Sequence, residues 1–434
     1  MSTTDRSKSG IGRDGHRSGR NLHALVWGQT VSMFGDFVAI FTLPYFMLSL
    51  TGNAFDLGLT SAFETAPMLI FGLAAGVIID RRRRLRNALV GLDVLRALTF
   101  VLLATATLTD AATSWMVLAV AFLVATLTIF FDSGLQALMP EVLDESLLIT
   151  ANSRLAVART IMASFGPIIA GLAVAFSAGF AIAFGLNSIT FLVSAAFLTF
   201  LPGGTKERPA RDERFGEALR EGLRYLFGDG RLKWGTLGGT FTNFVFAPLE
   251  ALLVYYVAVR ILDIDVATDG FDLTEYGVEI GVFFGLLAFI GASGVALAPR
   301  VSKRLPLGTM YVIGLFMFGG SFLVVVLLDN LLAVIPAGIA LIGITWVNIA
   351  LATMRQRLTP RPLLGRVISA SRTVSWVGLP LGAAIGGAVA AAFGVVPVYL
   401  VGASSILLVA AFLMRTPLYR DPVMADPAQG AETA

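Results

Sequence analysis

Twelve long apolar runs, almost free of charge, constrain this chain more than any other feature of its sequence. They cover about 23–50, 57–80, 88–108, 114–137, 148–175 and 179–201, then 234–260, 276–298, 307–328, 331–356, 363–391 and 394–414. Each is long enough to cross a hydrocarbon layer of about 30 Å at a rise of about 1.5 Å per residue. A backbone surrounded by lipid must satisfy its own hydrogen bonds, so each run is expected to be a helix. A β-barrel would instead show ten-residue alternating segments, and none occur. Composition agrees. Of 434 residues 56% are hydrophobic and only 14% charged, against roughly 25% charged in a soluble domain. A soluble fold is excluded, and the expected class is an all-α membrane protein with twelve transmembrane helices.

Several chemistries are excluded as well. There is no cysteine, hence no disulfide framework, thiolate metal site or thiol nucleophile. The only histidines, His16 and His23, precede or begin the first run, so no histidine metal site or histidine-based triad can lie inside the membrane. No P-loop is present, which argues against ATP hydrolysis. The chain is expected not to be an enzyme, to carry no cofactor or metal, and to draw its energy from a gradient or a partner. A net charge of +3 is read as a topology signal rather than a nucleic-acid surface.

That signal is strong. Of the 32 Lys and Arg residues, 27 fall in the two termini and the alternate loops around 81–86, 202–233, 299–306 and 355–366. The long segment after the seventh run is acidic instead, with Asp263, Asp265, Asp269, Asp272 and Glu275. This bias puts both termini in the cytoplasm. Residues 1–21, polar, basic and without the core of a secretory signal, are expected to be a disordered tail, as are 415–434. The polar gap at 202–233 separates two six-helix bundles, 22–201 and 234–414. Within it Phe215, Leu219, Leu223 and Leu226 form one helical stripe, so an amphipathic helix on the inner membrane face is expected.

The two halves repeat. Gln136/Gln356 and Pro140/Pro360 share an offset of 220, and Arg159-Thr160/Arg372-Thr373 and Pro167/Pro380 share one of 213. Duplicated six-helix halves around a central site are a recurring transporter design, and the bundles are expected to be pseudo-symmetric.

Particular motifs carry a resemblance: Gly35-Asp36 in the first run, GVIIDRRRR at 76–84, LMPE at 138–141, GPIIAG at 166–171 and LLGRV at 363–367. With these the chain, from about 22 to 414, resembles the major facilitator superfamily, most closely its branch of drug and siderophore exporters, which includes macrolide efflux pumps and the enterobactin exporter. Gly76, Asp80 and Arg81 match the signature loop between the family's second and third helices. Arg83 stands at the signature's second glycine, and 114–131 lacks the arginine that antiporters of the family often have in the fourth helix. The resemblance implies a cytoplasmic gating latch formed by Gly76, Asp80, Arg81, Arg84 and Asp132, with Asp80 near the N-terminus of the eleventh helix and Asp132 paired with one of Arg81 to Arg84. The bland reading is that these arginines serve only as topology anchors.

Ionisable groups inside a span are costly unless they face protein or water. The first run carries Gln29, Ser32 and Asp36 on one face, and the seventh carries Thr236, Thr240, Asn243 and Glu250. Such stripes on related helices suit two walls of a shared aqueous cavity, or else hydrogen bonding between helices. Thr345, Asn348 and Arg355 form a further stripe. Arg159 and Arg372, equivalent by the repeat, lie ~16 and ~14 Å along their helices, and either could bind a substrate anion or neutralise Asp36 and Glu250. Asp36, ~20 Å along its helix, is the first candidate for proton coupling and Glu250 the second. Glu64, nearer the outer surface, is expected to be solvated rather than to gate. Gly166, Pro167 and Gly171 are expected to bend the fifth helix, because proline removes a backbone donor.

The expected function is secondary active export of amphipathic small molecules by alternating access, in exchange for protons, by a monomer in the cytoplasmic membrane. An importer or facilitator of the same fold is the first alternative, and a receptor or scaffold the second.

Overall fold

The computed structural model describes residues 5–80, 84–176, 178–202, 215–264 and 276–424. Among these every regular element is helical: α1 (Asp5–Thr51), α2 (Ala54–Asp80), α3 (Leu85–Leu108), α4 (Ser114–Val142), α5 (Glu145–Val174), α6 (Gly179–Thr199), α7 (Phe215–Gly228), α8 (Gly230–Ala251), α9 (Leu253–Tyr256), α10 (Gly277–Ser302), α11 (Leu307–Leu327), α12 (Val334–Leu358), α13 (Leu364–Trp376), α14 (Gly378–Phe393), α15 (Val395–Leu413) and α16 (Pro417–Arg420). Ten expected runs are helices long and apolar enough to span a membrane, and an eleventh is formed by α8 and the segment Leu253–Ile261 beyond a 47° bend. The remaining run, 57–80, falls in α2. Large apolar side chains point outward along these helices, among them Leu102, Leu327, Val401 and Leu408, as a lipid-facing surface requires.

Two departures from straight helices have local causes. The seventh run is not one helix, because Pro248 lacks an N–H and weakens the turn before the bend at Leu252. There the Tyr399 hydroxyl donates to the Leu249 carbonyl at 2.6 Å, and a π turn follows at Val257–Ile261. The eleventh run is divided at Val377 into α13 and α14. In α5 the helix is continuous through Pro167.

Glycines set the closest helix packing. Gly378, Gly382 and Gly386 recur every fourth residue along α14, and a methyl group on any of them would collide with α8, at the carbonyls of Thr240 and Phe244 and the ring of Pro248. Four-residue spacing puts all three on one helix face, so α14 can lie directly against the α8 backbone.

The chain forms two compact units, Met1–Leu43 with Ile70–Arg211, and Pro44–Leu69 with Asp212–Ala434. The C-terminal end of α1 and the N-terminal end of α2 therefore belong with the second unit, a division that differs from the expected six-plus-six split. The core of the first unit gathers Leu22, Leu25, Leu89, Phe131, Leu138 and Leu155 from four of its helices.

Residues 1–4 and 425–434 of the two expected tails lie outside the described residues, and the remainder of each tail is placed as follows. Helix α1 begins at Asp5, Ser18 is buried, and its hydroxyl accepts from the Asp144 N–H at 3.0 Å. Asn21 donates to the Val142 carbonyl at 2.9 Å. These bonds satisfy backbone groups around the α4–α5 turn, which is why the helix extends beyond its apolar part. At the other end Leu418 is buried, and the Leu307 N–H donates to the Val423 carbonyl at 2.8 Å. Helix α7 lies in the linker and docks on protein: Leu226 is buried, Gly222 packs against the Arg366 carbonyl, Glu221 pairs with Arg366, and the Tyr225 hydroxyl donates to the Leu358 carbonyl at 2.6 Å. Asp229 caps α8, accepting from the Arg231 and Leu232 N–H groups at 2.8 and 3.2 Å.

Candidate functional site

In the first unit the charges converge on Arg96. Asp93 and Arg96 are three residues apart on α3, hence on one face. Their side chains are 0% and 1% exposed and form an ion pair. The guanidinium lies between two aromatic faces, 4.2 Å from the Phe131 ring centre and 4.3 Å from that of Phe191. It donates to Thr128 Oγ1 at 3.3 Å and stands 4.0 Å from Asp36, whose side chain keeps 29% exposure. Carboxylates and ring faces together compensate a cation removed from water. Asp132 and Arg159 lie within the electrostatic reach of the same group, so five charges share one neighbourhood. Gly35 makes this possible, because any side chain there would collide with Asn187 and Thr190 of α6.

Not every hydrogen bond in this cluster is made. Asp93 Oδ2, Arg96 Nε and Asn187 Nδ2 are buried with no partner. Asp36 is the member that combines contact with Arg96 and access from outside the protein.

Other residues expected at a cavity wall do structural work. Gln29 and Ser32 are buried, and Gln29 Nε2 donates to Ser194 Oγ at 3.3 Å, so this part of the α1 stripe joins α1 to α6. Arg159 is exposed. Arg81 lies outside the described residues, as do the side chains of Gly76 and Asp80. Among the described residues Asp132 makes no ion pair with Arg84, and its electrostatic neighbours are Arg96 and Arg159. Gly166 faces α1, where a methyl group would lie 2.7 Å from Phe37 Cβ. Gly166, Pro167 and Gly171 all lie within the continuous helix α5, and Gly166 is the one set against α1.

In the second unit the α8 stripe is largely spent on packing. Thr236 shares a hydrogen bond of 2.9 Å with Ser371. Thr240 Oγ1 donates to the Val374 carbonyl at 3.2 Å, and Asn243 Nδ2 to that of Ser375 at 2.8 Å. Both acceptors adjoin the break at Val377, where helical carbonyls lose their partners four residues on. Asn243, half-buried, thus braces α13 through its amide nitrogen. Glu250, the next polar group along α8, is exposed, as are Asn348 and Arg372, while Arg355 is half-buried. Arg355 and Arg372 lie in each other's field, with Tyr311 also near Arg355. Arg372 stands 5.3 Å over the Trp376 ring. Glu64, expected to be solvated, is half-buried and feels the charge of Glu250.

Sequence reasoning missed Asp93. The available signal was a carboxylate three residues before an arginine inside an apolar run, a pairing that lowers the cost of burying either charge. Among the described residues no group of three or more metal-ligating side chains is placed to hold an ion.

The arrangement suits a machine that moves solutes: helices of membrane-spanning length, compensated buried charge, and a few accessible ionised groups. The family model of the Major Facilitator Superfamily matches residues 25–378. The chain belongs to the major facilitator superfamily. It is accordingly a membrane transporter and not an enzyme, with a small-molecule substrate. Macrolide efflux protein A of Streptococcus pyogenes is 24% identical over 394 residues, covering 89% of this chain and 93% of its own. The multidrug efflux pump Tap of Mycolicibacterium fortuitum is 26% identical over 411 residues, covering 90% and 94%. Among solved structures, the nucleoside transporter NupG aligns with a TM-score of 0.71 at 12% identity over 92% of this chain and 99% of that one. A bacterial homologue of the iron transporter ferroportin, in its inward-facing state, aligns at 0.68 and 18% over 91% and 99%. These structural likenesses support the major facilitator fold.

Proposed function

We propose that this major facilitator protein exports amphipathic small molecules, of the drug or siderophore-like kind, in exchange for protons. The relatives named as efflux proteins support the direction. The observation that carries the coupling is the Asp36–Arg96 contact: an accessible carboxylate 4.0 Å from a buried guanidinium. Neutralising Asp36, by a proton or by a cationic group of the cargo, releases part of the field that Arg96 balances. Proton and cargo then compete for one acid, which is what exchange requires. Asp93, fully buried, keeps Arg96 compensated throughout. The working unit is a monomer in the cytoplasmic membrane with both termini inside, and the 76–84 loop with Asp132 acts as a cytoplasmic latch.

Everted membrane vesicles given a fluorescent amphipathic cation from outside test this reading. An imposed inward-acid gradient should drive uptake in vesicles holding the wild-type protein and not in vesicles holding Asp36→Asn. Uptake without any gradient dependence would favour a facilitator, a reading that the absence of a basic residue from 114–131 keeps in play. Absence of any flux over a range of substrates would favour a receptor or scaffold.

A further inference from the structure

We propose that α7 is a splint for the turn between α12 and α13: it supplies caps that the turn lacks, and so decides whether the first half of α13 stays helical.

The turn is poorly provided for by its own residues. Helix α12 ends at Leu358 and α13 begins at Leu364, with a single 3₁₀ turn, Arg361–Leu363, just before it. The last carbonyls of a helix need donors from outside it. Four residues on from Gln356 and Leu358 stand Pro360 and Pro362, which have no N–H to give. Thr359 brings the one hydroxyl of the turn, and its Oγ1 is buried without a partner. At the start of α13, Leu363 makes no side-chain cap and the first turn holds no acid. Its third residue is instead Arg366, a cation at the positive end of a helix dipole.

Helix α7 supplies what is missing. The Tyr225 hydroxyl donates to the Leu358 carbonyl at 2.6 Å, in place of the N–H that Pro362 lacks. Glu221 pairs with Arg366 and so brings a carboxylate to the N-terminal turn of α13, where a negative charge is favoured. Between these two, Gly222 lets the backbones meet. A methyl group there would collide with the Arg366 carbonyl and lie 3.2 Å from Ala370 Cβ. Leu226, one turn beyond Gly222, is fully buried. Residues 221, 222, 225 and 226 share one side of α7, so a single docking event sets all four contacts.

The second half of α13 has a different support. Thr236 shares a hydrogen bond with Ser371, Thr240 donates to the Val374 carbonyl, and Asn243 donates to that of Ser375. Helix α7 thus serves residues 358–370, and α8 serves 371–375. A helix of 13 residues is about the length at which an isolated helix is marginal, so its first half depends on the neighbour that caps it. Without α7, α13 unwinds from its start toward Arg372 while its far end stays on α8. The seam is also accessible. A cleft of ~540 Å³ opens beside it, lined by Glu221, Arg224, Tyr225, Gly228, Asp229 and Leu363, and Glu221 keeps 48% exposure. The polar segment 202–233 is therefore more than a tether: through α7 it controls the length of α13 and the setting of Arg372.

Hydrogen exchange of the full chain in lipid nanodiscs, with no substrate and no gradient, tests the splint. Exchange is compared in peptides covering 359–370 and 378–393. Gly222→Val, which forces α7 away from the Arg366 carbonyl, should speed exchange in 359–370 by about tenfold or more and leave 378–393 unchanged. Tyr225→Phe, a milder change that removes only the hydroxyl, should speed it by about threefold. Glu221→Arg should have an effect of similar size. Combining Glu221→Arg with Arg366→Glu should restore wild-type protection or better, because the pair returns and an acid then stands at the start of α13. Wild-type exchange in 359–370 in all three single variants overturns the splint. So does a rise that is equal in 378–393, or a charge swap that restores nothing. No transport is measured, so the outcome is independent of the export reading.

Discussion

The two units handle intramembrane charge in opposite ways. In the first, Arg96 and Arg159 share a neighbourhood with Asp36, Asp93 and Asp132. In the second, like charges are electrostatic neighbours: Arg372 of Arg355, and Glu250 of Glu64. Its opposite-charge pairs among the described residues, Asp229–Arg231 and Glu221–Arg366, stand near the start of α8 and α13, at the ends of the apolar spans. Yet the repeat places Arg159 and Arg372 at equivalent positions. Carboxylates, those of Asp36 and Asp132, lie within electrostatic reach of Arg159, and among the described residues none is paired with Arg372. Paired charge inside a membrane resists change, whereas unpaired like charge is poised to respond to a proton or an ion. The first unit therefore resembles a fixed frame with one accessible acid, and the second a responsive surface.

The sharpest way to break this comparison is to remove its centre. Arg96→Ala would leave Asp93 fully buried without a cation, and losing one partner of a buried pair costs about 3–5 kcal/mol. Thermal unfolding in detergent should show a large drop in stability, with poor expression. Arg96→Lys should recover only part of it, because an ammonium cannot stack between Phe131 and Phe191 while also reaching Asp93 and Thr128. Near-normal stability of Arg96→Ala would mean that the cluster is not compensated as described.

Asp36→Asn separates frame from response within the same cluster. Asp93 would still balance Arg96, so unfolding should change little, while gradient-driven efflux should fall by about tenfold or more. Asp93→Asn should show the reverse emphasis, with lost stability as its main effect. If both variants behave alike, the distinction between an accessible and a buried acid fails.

At the membrane edge the second unit does pair its charges, and there the effect should be modest. Asp229 accepts from Arg231 and Leu232 N–H groups and from the Arg231 guanidinium at 2.8 Å. Burial opposes its ionisation, but the hydrogen bonds from the Arg231 side chain and the two backbone groups outweigh burial and hold the carboxyl below its ordinary range. Asp229→Ala should cost about 1 kcal/mol. A carboxyl with a lowered folded-state value contributes stability above its unfolded value of about 3.9, and that contribution fades as the pH falls below it. The wild-type minus variant difference should thus be flat through neutral pH and shrink below about pH 4.

How much of this was legible follows from what the membrane demands. Apolar runs map onto helices because lipid leaves the backbone no other option, whereas the 93–96 pair went unread although its spacing signalled it. Polar stripes were harder. Gln29 and Asn243 sit at the period of a cavity wall, but the same period serves a helix that must bond Ser194 across an interface or fill the carbonyl of Ser375 at the Val377 break. The pattern is identical in both cases, and only the neighbour decides. The grouping of Pro44–Leu69 with the second unit depends on Gly58 meeting Gly387, a contact between segments far apart in the chain that no local rule reports. Ser18 and Asn21 were hidden for the same reason, since their acceptors and donors lie at the α4–α5 turn.

The smallest expected effect sharpens the comparison most cleanly. Arg372 is the repeat partner of Arg159, yet it is exposed, touches the Trp376 ring at 5.3 Å, and has no carboxylate partner among the described residues. A cation–π contact at an exposed site is worth about 0.5–1 kcal/mol, and removing the charge also relieves its repulsion with Arg355. These terms oppose each other, so Arg372→Gln should change stability by no more than about 0.5 kcal/mol, against the large loss expected for Arg96→Ala. If Arg372 meets an anionic part of the cargo, KM should rise with the maximal rate preserved, the signature of lost uniform binding. Paired unfolding curves for the two arginine variants decide the matter. Destabilisation of Arg372→Gln on the scale of Arg96→Ala would reveal a buried counter-ion in the second unit and remove the contrast between the halves.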